Sequence, residues 1–258
     1  MIMDFALVLV VACALSGLIW AADAAWFRRR RVAAEGASAR EPAIVEYARS
    51  FFPIILLVLL VRSFAFEPFR IPSGSMMPTL LTGDFIFVSK YSYGLRLPVT
   101  NTVVLPTGEP RRGDVTVFRL PRDPAINYIK RVVGIPGDVV VYRGRQLWIN
   151  GEPVPLQELG PWPEAPHARV VLGAERLGER EHQVLWRPGG GSREGRFVVP
   201  DGHYFVMGDN RDNSTDSRYA EVGMIPESLL VGRAERIWMS WDATRPGVVW
   251  NRIGQAIR

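Results

Sequence analysis

The sequence predicts a mainly β protein, in which two amino-terminal transmembrane helices precede an all-β domain of antiparallel sheets with a β-rich insertion. Two long hydrophobic stretches come first, and short β-branched and aromatic segments separated by Gly, Pro and Asp follow from Phe69 onward. At 258 residues and 48% hydrophobic composition, the chain can form a membrane anchor and one or two globular lobes. We place the first membrane helix at 1–27, a loop at 28–46, the second helix at 47–66 and the β domain at 67–258.

The first hydrophobic stretch has the length and composition of a membrane span. Residues 5–22 carry no charge and apolar residues continue to Phe27, giving about the 20 residues that a helix needs to cross hydrocarbon. A cleavable signal peptide is the alternative, but its basic residues would precede the apolar segment. Here four arginines follow it at 28–31, so we interpret the segment as a retained span.

The arginine cluster also sets the expected topology. Basic residues concentrate in cytoplasmic loops, so we expect the amino terminus outside and the 28–46 loop in the cytoplasm. The same cluster explains much of the formal charge of +5, and we therefore expect no nucleic-acid partner.

The second hydrophobic stretch is shorter. Residues 50–61 are intensely apolar, but a full crossing must extend over 47–66, with Arg49 and Arg62 reaching toward opposite faces of the bilayer. An interfacial or core helix is the alternative. A second crossing would place everything after Glu67 on the outer side.

Strand patterns fill the remainder of the chain. Their spacing is typical of sheets or a partly open barrel, with strands expected at 85–89, 114–119, 128–133, 139–142, 146–149, 197–199, 204–207 and 233–238. Asn150-Gly151 predicts a hairpin turn. A hairpin and variable insertion covers about 143–199, and we expect its weakly periodic part, 155–196, to lie away from the chemistry.

Cysteine and histidine chemistry finds little support. The single cysteine, Cys13, excludes an intrachain disulfide and a cysteine metal cluster. The three histidines, His167, His182 and His203, are expected to be surface or turn residues. A Ser-His-Asp triad and a histidine-rich metal site are therefore disfavoured, and we expect no metal or other cofactor.

A turn of small residues between two prolines is a candidate for a nucleophile. Pro72 and Pro78 stiffen its ends, and Gly74 permits backbone angles that a side chain would forbid. Ser73 and Ser75 would be held at fixed angles there. A polar loop with two serines is the alternative.

Lys130 is the candidate base for such a serine. Neighbouring strand residues point to opposite faces, so either Lys130 or Arg131 must face the interior. Only a buried lysine can lose its charge, since burial disfavours the ammonium form. Lowering its pKa from about 10.4 by about two units requires roughly 3 kcal/mol. A surface lysine is the alternative.

The loop at 208–218 is dense in turn-forming and hydrogen-bonding residues. A calcium loop is disfavoured, because the loop lacks the glycine and the terminal glutamate of an EF-hand and because its arginines can pair with its carboxylates. We expect Asp216 to pair with Arg211 or Arg218, and Ser214 to offer a hydroxyl that orients a neighbouring amine.

These segments together resemble the successive sequence boxes of bacterial type I signal peptidase. The matching runs are 72–80, 83–88, 128–138, 208–214 and the tail 237–240, in the order of the family and after two spans. The resemblance is weakest at 155–196. Some relatives carry a disulfide in the β lobe, which this chain cannot form.

The resemblance implies roles for individual residues. Ser75 would be the acylating nucleophile, Lys130 the general base, and Ser214 the hydroxyl that orients the lysine. The oxyanion would be held by the Ser75 N–H and the Ser73 hydroxyl. The loop would be supported by Asp209, Asp216 and Arg218. Pockets for small substrate side chains would be lined by Phe69, Ile71, Pro72, Met76, Ile86, Tyr128 and Ile129, for which plain core packing is the alternative.

The resemblance also implies a membrane-bound serine endopeptidase with a Ser-Lys dyad. It would remove signal peptides from exported preproteins at the outer, periplasmic face of a bacterial inner membrane, with preproteins and the lipid bilayer as partners. A dedicated Ser-Lys processing protease and a non-enzymatic membrane-tethered envelope factor are the alternatives. Trp238 and Trp241 are expected either at the bilayer surface or buried in the sheet.

Overall fold

The computed structural model describes residues 5–35, 40–100, 102–164, 169–242 and 247–258. The chain divides into two compact units. One comprises Met1–Phe66 with Leu95–Leu105, and the other comprises Glu67–Gly94 with Pro106–Arg258. The predicted succession of two apolar helices and an antiparallel β domain is confirmed.

The first helix runs further than the sequence predicts. Helix α1 (Phe5–Ala22) continues through a π-helical turn, Asp23–Phe27, into α2 (Arg28–Glu35). The first part of the expected 28–46 loop is thus helical, because arginine and alanine are good helix formers and no Gly or Pro interrupts them before Gly36. Asp23 also pairs with Arg31 along this helix.

The second helix, α3 (Ala43–Leu60), ends in a π-helical turn, Val61–Ala65, and packs against α1. Gly17 of α1 allows a close approach, since a Cβ at this position would lie 2.8 Å from Cε2 of Phe52. Both Phe5–Ala34 and Ala43–Ala65 are long and apolar enough to cross a membrane. A small sheet of β3 (Leu95–Arg96) and β4 (Val103–Leu105) completes this unit.

An eight-stranded sheet forms the centre of the second unit, with the strand order β1-β2-β16-β5-β6-β14-β15 and β17 paired to β16. Its strands are β1 (Phe66–Arg70), β2 (Asp84–Ser89), β5 (Val115–Leu120), β6 (Asp123–Gly134), β14 (His203–Met207), β15 (Ile225–Pro226), β16 (Leu230–Asp242) and β17 (Gly247–Val248). Strands β6 and β16 extend well beyond their predicted bounds.

Two smaller sheets form the insertion. One has the order β13-β7-β8-β9 and consists of β7 (Val139–Arg143), β8 (Gln146–Ile149), β9 (Glu152–Pro153) and β13 (Gly195–Val198). The predicted hairpin turn joins β8 to β9, with positive φ at Asn150 (55°) and Gly151 (87°). The other sheet consists of β10 (Leu156–Pro161), β11 (Val171–Leu177) and β12 (Arg180–Trp186), so the weakly periodic stretch holds regular strands.

The expectation for His182 is wrong. This residue is only 5% exposed, because β12 places it directly opposite Glu175 of β11 on a covered face. His203 is half-buried at the start of β14, with its Nδ1 2.9 Å from the carbonyl oxygen of Asp201. His167 lies outside the described residues.

The two tryptophans near the end of β16 are not enclosed by the sheet. Trp238 is 37% exposed and lies against Phe85 and Phe87, and Trp241 is 43% exposed. Their contact with a bilayer stays a prediction.

Candidate active site

The turn that carries Ser75 is fixed by its apolar neighbours. Ser75 lies in a short 3-10 turn, Gly74–Met76, between β1 and β2. Met76 and Leu80 are fully buried in a cluster with residues of the central sheet, and the Leu80 N–H donates to the Met76 carbonyl oxygen at 2.9 Å. The buried side chains thus hold the turn against the sheet, with Ser75 8% exposed.

Strand β6 brings Lys130 to this turn. The Lys130 Nζ lies 2.8 Å from the Ser75 Oγ and 2.9 Å from the carbonyl oxygen of Ile129. Lys130 lies opposite Thr116 of β5, one residue before Arg131, where the pairing of β6 with β14 ends, and it is 4% exposed. The structure therefore places the expected base within hydrogen-bond reach of the expected nucleophile.

Burial alters the protonation of this lysine. Desolvation lowers the pKa of Lys130 to about 8, although the carboxylates of Asp216 and Asp209 act in the opposite direction. A pKa in this range leaves a substantial fraction of neutral amine at mildly alkaline pH, which is what a general base requires.

Arg131, the next residue, ends in a different environment. Its guanidinium binds Asp209 through two hydrogen bonds of 2.7 Å, and the Thr79 hydroxyl donates to the same carboxylate at 2.5 Å. Burial raises the pKa of Asp209, but Arg131 more than offsets this effect and the net pKa is lowered. The ion pair links β6, the loop after β14 and the end of the turn that carries Ser75.

A second buried ion pair supports the 208–218 loop. Arg218 binds both oxygens of Asp216 at 2.8 Å and also donates to the Arg211 carbonyl oxygen at 2.7 Å. Asp216 in turn accepts the Gly208 N–H at 2.9 Å. Of the two partners that the sequence left open for Asp216, the structure selects Arg218.

Ser73 and Ser214 both lie near the dyad. The Ser73 Oγ is 3.4 Å from the Ser75 Oγ. Ser214 is buried beside Gly208, where an added Cβ would lie 2.2 Å from the Ser214 Oγ and 2.5 Å from the Ser75 carbonyl oxygen. Within the part of the chain that the structure describes, the Ser214 Oγ has no hydrogen-bond partner, so the expected bond to Lys130 is not formed here.

An open groove of about 340 Å³ leads to the dyad. Of the predicted pocket residues, Pro72, Tyr128 and Ile129 line this groove. Ile71, Met76 and Ile86 are instead packed in the core beneath it, and Phe69 lies partly buried against that core. Four further lining residues were not identified from the sequence, namely Ile126, Asn127, Asn213 and Thr215.

Sequence reasoning also missed a buried network from the insertion. Glu175 is fully buried and binds Arg211 at 2.9 Å, with the His182 Nε2 3.3 Å away. Burial raises the pKa of Glu175, but Arg211 and His182 bring it down to about 2. The Leu185 N–H donates to the Asp209 carbonyl oxygen at 2.8 Å. The insertion thus contacts the loop that carries Ser214, and no local sequence signal marks these contacts.

Metal binding gains no support from the acidic residues of the site. Asp209 and Asp216 are each neutralised by an arginine, and among the residues described no group of three or more His, Cys, Asp or Glu side chains could hold a metal ion. The arrangement provides a hydroxyl, a weakly basic amine beside it and a groove, which suits nucleophilic attack on a carbonyl group.

Comparison with known proteins agrees with this chemistry. The chain is 47% identical to a signal peptidase I of Pseudomonas fluorescens, over 93% of this chain and 94% of the relative. It is 46% identical to a signal peptidase I of Pseudomonas aeruginosa with the same coverage. A crystal structure of a signal peptidase I from Enterococcus faecalis, 27% identical, aligns over 48% of this chain and 96% of its own, with a TM-score of 0.33.

The family comparison covers both the second helix and the central sheet. The sequence model described as signal peptidase, peptidase S26, matches residues 44–239, which include the turn that carries Ser75, β6 and the loop after β14. This match extends over most of the chain. The chain therefore belongs to the peptidase S26 family of signal peptidases.

Proposed function

We propose that this chain is a membrane-bound serine endopeptidase that cleaves signal peptides from exported preproteins, with Ser75 as nucleophile and Lys130 as general base. The 2.8 Å separation of the Lys130 Nζ and the Ser75 Oγ at the end of an open groove carries this proposal. The names of the relatives supply the substrate class, and the residue roles rest on the geometry.

Acylation begins when the neutral Lys130 amine removes the proton from the Ser75 hydroxyl. The Oγ attacks the scissile carbonyl carbon, and the negative charge moves to the carbonyl oxygen. Lys130, now an ammonium group, gives its proton to the nitrogen of the leaving peptide as the C–N bond breaks. The same amine then activates a water molecule, which hydrolyses the ester on Ser75 and releases the signal peptide.

The developing oxyanion requires hydrogen-bond donors. The Ser75 N–H and the Ser73 hydroxyl are assigned this role, because both belong to the turn that holds the nucleophile. A donor of this kind lowers the barrier by about 3 to 4 kcal/mol. Ser214, buried beside Gly208, is assigned the role of orienting the Lys130 amine, as the resemblance to the family implies.

The groove suits an extended peptide. Its walls combine the exposed residues Ile126 and Asn127 of β6 with Pro72 from the nucleophile turn. Before Arg131, β6 pairs with β5 but not with β14, so a peptide segment can bind along this free edge through its backbone. Shallow apolar positions would select small side chains next to the scissile bond.

The membrane location follows the same proposal. The chain is assigned to the bacterial inner membrane, which its two apolar helices would cross. The arginines that follow the first of these helices favour a cytoplasmic position for the segment that connects the two helices. The β domain is then on the periplasmic side, where exported preproteins emerge.

The decisive experiment uses the full chain in detergent micelles and a preprotein with an Ala-X-Ala boundary. Mass spectrometry should show a single cut after the second alanine. Ser75→Ala should abolish turnover while the unfolding temperature stays close to that of the wild type. Normal cleavage by the folded Ser75→Ala variant would show that Ser75 is not the nucleophile.

A further inference from the structure

Asn210 makes two hydrogen bonds to the turn that carries Ser75. Its backbone N–H donates to the Ser75 carbonyl oxygen at 3.1 Å, and its side-chain Nδ2 donates to the Gly74 carbonyl oxygen at 3.0 Å. A carbonyl oxygen can only accept hydrogen bonds, so the amide must present its nitrogen to Gly74. One residue of the distant loop therefore binds both carbonyl groups that flank the Cα of the nucleophile.

These two bonds restrict the backbone of Ser75 from both sides. Each peptide group is planar, so the only soft torsions at Ser75 are its φ and ψ angles. The Gly74 carbonyl belongs to the peptide plane before the Ser75 Cα, and the Ser75 carbonyl belongs to the plane after it. Holding both carbonyl groups fixes both torsions, and with them the direction in which the Cα–Cβ bond leaves the backbone.

The bond to Gly74 has a second effect. In a trans peptide the C=O and N–H groups point in opposite directions, so a donor that holds the Gly74 carbonyl also sets the direction of the Ser75 N–H. A hydrogen bond accepted by the carbonyl polarises the amide and strengthens the N–H as a donor. We propose that Asn210 is a positioning residue that aims the Ser75 N–H at the oxyanion.

The local turn alone holds the Gly74 carbonyl less firmly. The Met77 N–H donates to the same oxygen at the longer distance of 3.3 Å. The hydrogen bond from Asn210 connects the Gly74 carbonyl to a well-fixed part of the loop, because Asn210 follows Asp209, whose carboxylate is bound by Arg131. Gly208 lets the loop approach, since a Cβ there would lie 2.5 Å from the Ser75 carbonyl oxygen.

This inference rests on the proposed function, and the test compares Asn210→Ala and Asn210→Asp with wild type. Alanine removes the side-chain donor, and aspartate keeps the shape but places an acceptor against the Gly74 carbonyl. We expect kcat to fall about 10- to 100-fold, as for a displaced or lost oxyanion donor. KM should stay within about twofold, since the groove is unchanged. In Asn210→Ala the midpoint of the pH–rate profile should not move, since this change adds no charge near Lys130.

A peptide boronate with the acyl-side sequence of the substrate provides a readout independent of turnover. Its boron accepts the electron pair of the Ser75 Oγ, the hydroxyl proton passes to Lys130, and the anionic tetrahedral adduct places an oxygen at the oxyanion position. Boronate affinity should fall by the same factor as kcat/KM. The affinity of the product peptide, which ends in a carboxylate, should change less than twofold. Asn251→Asp, an exposed amide near the carboxyl terminus, is the matched control.

Three results would overturn the inference. They are a folded Asn210 variant with wild-type kcat, a shift of the pH midpoint in Asn210→Ala, and loss of the fold in both variants, which would make Asn210 a structural residue. Failure of the proposed function looks different, because Ser75→Ala would then retain turnover whatever the Asn210 variants do.

Discussion

Lys130 and Arg131 are neighbours on β6, yet their charged ends lie in separate environments, one against the Ser75 hydroxyl and the other against the Asp209 carboxylate. Strand alternation produces this division. Among the residues that the structure describes, no carboxylate lies within hydrogen-bond distance of the Lys130 Nζ, which can therefore lose its proton, whereas Arg131 is neutralised by its ion pair with Asp209.

The pH–rate profile should rise with pH. Burial lowers the pKa of Lys130 to about 8, and only the neutral amine can accept the Ser75 proton. We expect kcat/KM of the wild type to increase from pH 6 and to level off above a midpoint near the pKa of the lysine. Rates measured with one preprotein in buffers of constant ionic strength test this, and activity that peaks at pH 6 would contradict it.

Lys130→Arg should inactivate the protein. Arginine stays protonated at any working pH, and loss of a general base costs about 100-fold or more in rate. The sequence contains two lysines, so the same change at the other one, Lys90→Arg, is the matched control. Lys90 forms a partly buried ion pair with Glu67, in which arginine can replace lysine. We expect normal cleavage by the Lys90 variant only. Substantial turnover by Lys130→Arg would require another base.

Lys130→Met should make the folded protein more stable at pH 7. The pKa of Lys130 is about 8 when folded and 10.5 as a free group, so below pH 8 both states are protonated and the folded state bears the full cost of the buried charge. This cost is about 3 kcal/mol. Between pH 8 and 10.5 the folded lysine has lost its proton while the unfolded one retains it, so wild-type stability rises with pH.

Urea unfolding at pH 7 and pH 10 measures this difference. The increase in the free energy of unfolding caused by Lys130→Met should be large at pH 7 and smaller at pH 10. An equal gain at both pH values would show that packing, and not charge burial, is responsible.

Asp209→Asn should destabilise the β domain strongly. The change leaves the Arg131 guanidinium, which is fully buried, without a counter-ion, and such a loss costs about 3 to 5 kcal/mol. Thermal unfolding should show a large decrease in midpoint. The exposed Asp201→Asn is the control and should unfold like the wild type. A small effect at Asp209 would indicate that water reaches Arg131.

Glu175→Gln should reduce both stability and activity, although the residue belongs to the insertion. It leaves the buried Arg211 unpaired, at a cost of about 3 kcal/mol, and Arg211 begins the turn that leads to Ser214. Glu181→Gln on the neighbouring strand, where the ion pair with Arg176 is exposed, is the matched control. Equal behaviour of the two variants would show that the insertion does not support the loop.

The sequence contained enough information to place the two helices and most strands, and to single out Ser75 and Lys130, whose side chains the fold brings together. Periodicity and turn residues are local properties, which is why β8 and its Asn150-Gly151 turn appear where expected. Ser75 lies in a turn of small residues between two prolines, and Lys130 lies in a strand, so each could be identified as a candidate from its own segment. The resemblance to a family then predicted that the two residues act together.

The rest could not be predicted, because it depends on tertiary contacts. His182 is buried only because β12 pairs with β11 and covers it. The role of Glu175 as the counter-ion of Arg211 depends on the fold bringing the two residues together. Ile71, Met76 and Ile86 are apolar residues near the site, and apolar character does not distinguish a pocket wall from the core beneath it. Asn210 is one of several polar residues in its loop, and only the fold selects it as the partner of Gly74.

Asp209 accepts hydrogen bonds from three segments. Its carboxylate accepts from Arg131 and from the Thr79 hydroxyl, and its carbonyl oxygen accepts from the Leu185 N–H. A designer who transplanted only the serine and the lysine onto another β scaffold would lose this junction. The grafted lysine would keep its charge in a looser, wetter setting, because the burial that lowers its pKa comes from the surrounding packed segments and not from the serine.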